Sequence, residues 1–185
     1  MKLVFLGTIG RSFFLRSLSN RNIVEKKDYV FLDEKKELDT IKNAEFSIPK
    51  KNFIASWNPD DSKININENA SDKLFKALGK DKEILLVFGA GVNATYCLRP
   101  LIEDLLSVNV KIKILAVIPF QWEGSKRGKF QSSLEELKER KLEVRTVDNE
   151  NIYTNVDNTI TIKEAFSCVD NLIISEIKSF LNITK

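Results

Sequence analysis

Histidine is absent from the 185 residues, and that gap removes imidazole acid–base chemistry and imidazole metal ligation. Cysteine is scarce: Cys97 and Cys168 are far apart and lack any metal-ligand pattern, so buried free thiols are expected. No run of about 18 apolar residues occurs, which excludes a membrane-spanning helix. The first seven residues faintly resemble a signal peptide, but Arg11 and Arg16 interrupt them early and no small-residue cleavage site follows. A cytoplasmic protein without a membrane partner is expected. An excess of one charge is also lacking. Lys and Arg number 29 against 26 Asp and Glu, a net charge of +3. Lysine and glutamate are interspersed, so the basic face that nucleic acid requires is missing and the charges read as solvated surface. Glycine-rich linkers, low-complexity tracts and internal repeats do not occur.

What is present suits one domain, residues 1–185, with a substantial core. The chain is 43% apolar and 30% charged, ordinary for a globular protein. Short apolar runs at 3–6, 29–32, 84–88, 111–118 and 142–147 read as strands, with a weaker one at 45–48. Helical spacing follows most of them. Phe13, Phe14, Leu15 and Leu18 pace the first helix, and Ser71 is expected to cap a second that closes at Gly79. A third helix begins near Thr95, a fourth carries Leu134 and Leu137, and the longest covers 160–183. Strands alternating with helices through short connections predict an α/β fold, a mostly parallel sheet with right-handed crossovers. In such sheets ligands bind at the carboxyl ends of the strands, so the loops after Leu6, Leu32, Phe88, Ile118 and Val147 matter most.

Three segments on these loops and on the last helix carry chemistry. Pro119-Phe120-Gln121-Trp122-Glu123-Gly124-Ser125-Lys126-Arg127 places a carboxylate and an arginine four residues apart at a strand-to-helix junction. That spacing suits a sugar-and-base clamp, or simply an i,i+4 ion pair worth a few tenths of a kcal/mol. Asp148-Asn149-Glu150-Asn151-Ile152 follows a strand, and an asparagine amide offers both a donor and an acceptor. Glu164-Ala165-Phe166 with Asp170 puts an aromatic ring and a carboxylate on one helical face.

In this order and spacing the segments resemble the P-F-x-x-E-G-x-K-R, P-N-D-x-L and E-A-F-x-x-x-D motifs of FtsZ, the bacterial and archaeal relative of tubulin. The resemblance covers nearly the whole chain, strongest over 84–180 and weakest over 33–69. It implies a three-layer Rossmann-like nucleotide-binding domain and GTP or GDP as ligand, with or without Mg²⁺. By the resemblance, Glu123 would meet the ribose hydroxyls, and Arg127 would stack on or bond the purine. Asn149 would bond the guanine edge, Phe166 would stack on the base, and Asp170 would accept from guanine N1–H and its exocyclic amine.

The phosphate side departs from the family. Its G-G-G-T-G-T-G loop corresponds to Gly89-Ala90-Gly91-Val92-Asn93-Ala94-Thr95-Tyr96-Cys97, where only Gly89 and Gly91 remain. The first glycine loop has become Gly7-Thr8-Ile9-Gly10-Arg11-Ser12, with Ser12 in place of an asparagine that helps read the base. A third, normally glycine-rich loop reads Trp57-Asn58-Pro59-Asp60-Asp61. Phosphate contacts would then fall to Gly7, Gly10, Arg11, Gly89, Gly91, Asn93, Ala94 and Thr95. Helix N-termini near Arg11 and Thr95 would supply free N–H groups.

In the family, acidic residues that position the attacking water lie beyond the long central helix, past Lys185. Weak or absent hydrolysis is therefore expected, and so is a regulatory or filament-capping role beside a full-length FtsZ-like protein or a second copy of this chain. A protein–protein interaction domain that no longer binds nucleotide is the alternative. Its expected mark is a pocket filled by Trp57, Tyr96 or Trp122.

Overall fold

Leu3-Val4-Phe5-Leu6 and Ile84-Leu85-Leu86-Val87-Phe88 are apolar at every position, the pattern of strands covered on both faces. The computed structural model describes residues 1–18, 23–44, 47–56, 69–89, 92–154 and 160–183. Its strands are β1 (Lys2–Leu6), β2 (Tyr29–Asp33), β3 (Phe53–Ala55), β4 (Glu83–Gly89), β5 (Lys111–Ile118) and β6 (Glu143–Asp148). They form one sheet in the order β3-β2-β1-β4-β5-β6, and every neighbouring pair is parallel. β1 is the centre of the topology: Leu3 is in register with Tyr29 on one side and Leu85 on the other. Strand order reverses between β1 and β4, and a crevice opens above such a switch point.

Among the described residues, six α-helices cover the sheet: α1 (Thr8–Phe13), α2 (Lys35–Ala44), α3 (Ala70–Leu78), α4 (Val92–Ser107), α5 (Ser125–Glu139) and α6 (Ile162–Phe180). Because side chains alternate along a strand, each strand feeds two cores. Val4, Leu32, Leu86 and Ile114 pack with residues of α3, α4 and α5. Leu3, Phe5, Phe31, Val87 and Leu115 pack with residues of α1, α2 and α6. The second core is aromatic. Phe31 stacks between Phe5 (5.4 Å) and Phe53 (5.6 Å), and Phe14 meets it edge-on at 5.0 Å. In the first core, burial pushes the Cys97 thiol up to about 12, which keeps it protonated and inert.

Two expectations are corrected. Of the strand expected at 45–48, residues 45–46 lie outside the described residues, Ser47 and Ile48 lie in a turn, and the edge strand is β3. The lysine-rich stretch before it contains α2, which among its described side chains buries Leu38 and Ile41 in the core. Two apolar anchors among ten residues were too few to stand out. Ser71 does not cap α3, because the helix already starts at Ala70; its hydroxyl donates to the Asp104 carboxylate of α4. Gly79 does close α3, at φ 62°. α6 begins with a capping box: Glu164 N–H donates to Thr161 Oγ1 (3.3 Å) and Thr161 N–H donates to Glu164 Oε2 (2.8 Å). Among the described residues, no helix is long and apolar enough to cross a membrane.

α1 lies so close to β1 that a Cβ at Gly10 would stand 2.6 Å from Phe5 Cβ. Gly10→Ala is expected to destabilise the protein by about 1–3 kcal/mol in urea unfolding, because neither backbone can yield cheaply. Gly128→Ala in α5 meets open space. It should be stabilising by about 0.5–1 kcal/mol, since alanine gives up less backbone freedom.

Candidate functional site

A cleft of about 290 Å³ opens at the carboxyl ends of β1, β4 and β5, between α1 and α6. That is the small end of the about 300–1,000 Å³ typical of ligand pockets. Thr8 and Ile9 follow β1, Gly89 ends β4, Val117 and Pro119 come from β5 and its exit, and Asn149 follows β6. Ser12 projects from α1, while Phe166, Val169 and Asp170 project from α6. Six residues singled out in the sequence therefore share one cleft: Ser12, Gly89, Glu123, Asn149, Phe166 and Asp170.

Asp170 is 1% exposed, and both its oxygens are engaged. Arg16 Nε donates to Oδ2 and Arg16 Nη2 to Oδ1, each at 2.6 Å, and Ser17 Oγ donates to Oδ2. The Arg16 guanidinium also lies over the Phe166 ring, 5.2 Å from its centroid. Arg16 and Ser17 belong to a π-helical turn, Phe14–Leu18, that continues α1. Such wide turns recur at functional sites. The reading of the sequence missed Arg16. One signal was available: Ser12 and Arg16 are four residues apart, on one face of the first helix.

Asn149 is 6% exposed, and its Oδ1 has no hydrogen-bond partner among the described residues. An unpartnered buried amide oxygen beside a cleft is a vacancy for a donor, since leaving it unmet costs about 1–3 kcal/mol. Glu123 accepts from the Phe120 N–H of its own turn at 3.1 Å.

Arg127 stands apart from the cleft lining. It forms no pair with Glu123 and instead forks Asp148, with Nη1 to Oδ1 at 2.9 Å and Nη2 to Oδ2 at 2.6 Å. Its Nη1 also donates to the Pro119 carbonyl at 2.6 Å. Asp148 is in register with Ile118, which brings the carboxylate and Pro119 within reach of one guanidinium. Burial alone would push the Asp148 carboxyl up. The Arg127 guanidinium and the Glu150 N–H outweigh that and hold it below its ordinary value of 3.8.

On the phosphate side, the first loop is engaged internally. Gly7 N–H donates to Leu32 O at 2.8 Å, with φ 79° at Gly7, and Gly10 N–H donates to Gly7 O at 2.9 Å. Gly10 is the contact point with Phe5 described above. The first helix starts at Thr8 instead of near Arg11, which lies within it. α4 starts at Val92, so Asn93, Ala94 and Thr95 occupy its first turn; Gly91 lies outside the described residues. No cluster of three or more His, Cys, Asp or Glu side chains able to hold a metal occurs among the described residues.

Trp122 does not fill the cleft: it is 61% exposed, its ring stacked on Phe120 at 5.1 Å. Phe120 in turn meets Phe166 edge-on at 5.6 Å. Trp57 lies outside the described residues.

Two solved structures share the fold. The chain matches an empty FtsZ dimer from M. jannaschii with a TM-score of 0.65 and 20% identity, covering 100% of this chain and 55% of that one. It matches CetZ from Methanosaeta thermophila strain DSM 6194 with a TM-score of 0.68 and 15% identity, covering 98% and 54%. The chain thus has the fold of the FtsZ/tubulin nucleotide-binding domain and spans about half the length of these structures. No protein-family model matches it, and no curated protein does.

The depressed Asp148 carboxyl makes its pair with Arg127 a stabilising contact above the ordinary carboxylate value. That contribution is lost as pH falls through the lower, folded value. Asp148→Asn should cost about 2 kcal/mol at pH 7. Urea unfolding at pH 7 and pH 3 checks both points: the variant's deficit should shrink at pH 3.

Proposed function

We propose that the cleft is a guanine-nucleotide site and that the chain works as an FtsZ-like binding module with weak or no hydrolysis. One observation carries the reading. The buried Asn149 Oδ1, without a partner among the described residues, shares a cleft with the Phe166 ring and the Asp170 carboxylate, at the switch point of a parallel sheet. An acceptor, an aromatic platform and a carboxylate form a set that suits a purine carrying N–H donors on its edge.

The weak phosphate side fits binding better than turnover. Gly7 and Gly10, where a backbone cradle would approach a phosphate, direct their N–H groups to protein carbonyls. What remains is the N-terminal turn of α4 beyond Gly89, whose leading N–H groups have no intrahelical acceptor and favour an anion. Mg²⁺ held mainly by water and phosphate oxygens is compatible with this arrangement. Such a module would act as a nucleotide-sensing regulator or capping partner of a filament, built by a full-length FtsZ-like protein or by further copies of this chain.

The engagement of Asp170 and Phe166 by Arg16 favours a second reading, an interaction domain that no longer takes nucleotide. Thermal unfolding separates the two. GTP, GDP or guanosine at one hundred times its dissociation constant should stabilise the protein by about 2.7 kcal/mol, with no effect of ATP. Phe166→Ala should weaken guanosine binding by about 1–3 kcal/mol, the worth of one base–aromatic stack. No shift with any guanine ligand leaves the interaction domain. For the filament role, sedimentation of a full-length FtsZ-like polymer should change in yield when this chain is added, and unchanged polymer would count against it.

A further inference from the structure

We propose that Arg16 is an internal stand-in for guanine, an affinity-setting residue that holds the base subsite until guanine exchanges with it. The inference rests on the guanine-site reading above. Guanine itself contains a guanidine unit: N1–H, C2 and the 2-amino group present two parallel N–H donors in one plane. Arg16 presents the same fork through Nε and Nη2, one donor to each oxygen of Asp170 at 2.6 Å. It also sits as a base would, its planar group over the Phe166 ring at 5.2 Å. Fork and platform are independent contacts made by two α6 residues, and Arg16 meets both.

Burial explains why the subsite carries its own ligand. A carboxylate 1% exposed is costly unless donors satisfy it at all times. Arg16, with 37% of its side chain exposed, is the partner positioned at the cleft mouth and able to withdraw into water. Guanine can take its place because it restores both donors. Adenine cannot, because its edge offers one donor and one acceptor; inosine, lacking the 2-amino group, restores one. Exchange lowers the apparent guanine affinity by the fraction of molecules in which Arg16 has withdrawn. Arg16 thereby sets the strength of the site, while the two acceptor oxygens of Asp170 set its base preference.

Binding of guanosine, inosine and adenosine to the wild type, Arg16→Ala and Arg16→Lys, measured by calorimetry, tests this. Arg16→Ala should bind guanosine at least about tenfold more tightly than the wild type, with inosine gaining by the same factor from a weaker start and adenosine binding neither protein. Arg16→Lys keeps a cation beside the buried carboxylate while removing the planar fork, so it guards against an Arg16→Ala protein that fails to fold. It too should gain guanosine affinity. Millimolar methylguanidinium, the fork without a purine, should raise the unfolding temperature of Arg16→Ala and leave the wild type unchanged. Equal or weaker guanosine binding by the folded variants overturns the exchange and leaves the guanine site standing. Absence of guanosine and GDP binding in every folded protein overturns both.

Discussion

Parallel strands cannot be joined by tight turns, so each connection must leave one end of the sheet, cross a face as a helix and return. Every other feature of this molecule follows from that constraint. Both faces are covered, which is why Leu3–Leu6 of β1 and Ile84–Phe88 of β4 are apolar at every position and why two cores exist instead of one. All strands end on the same side, so the loops leaving β1, β4, β5 and β6 crowd together there. The order reversal between β1 and β4 then opens the cleft between α1 and α6.

Close packing and phosphate binding make opposite demands on glycine in this fold. A cradle needs N–H groups that point outward, whereas tight helix–sheet contact needs a missing Cβ. At Gly10 the second demand prevails: α1 sits against Phe5, and the Gly10 N–H turns back to Gly7 O. The base side is built differently, from side chains on α6 and on the turn after β6, and there the carboxylate, ring and amide converge. Under the proposed guanine-site reading, a site so divided would favour recognition of a base over grip on a polyphosphate.

Much of this was legible along the chain. The strand positions, the α/β class and the last helix follow from apolar runs and helical spacing, and the six cleft residues from the resemblance to the FtsZ motifs. What was missed has physical reasons. α2 is anchored, among its described side chains, by Leu38 and Ile41 amid lysines, and β3 is three residues long on a sheet edge. Ser71 is an acceptable cap by residue type, yet its hydroxyl found Asp104, which is 33 residues away.

Composition and pattern alone determined that no histidine chemistry operates, that strands and helices alternate, and that an asparagine, a phenylalanine and an aspartate would stand at the strand ends and on the last helix. Only the tertiary structure decided the partners of the charges. Arg127 belongs to Asp148 instead of Glu123, because β5 and β6 bring Ile118 and Asp148 into register. Arg16 belongs to Asp170, 154 residues away, because α1 and α6 flank the same crevice. Local spacing sets which residues share a face. Which charge neutralises which depends on burial and on elements meeting across the sheet, and no window along the chain contains both.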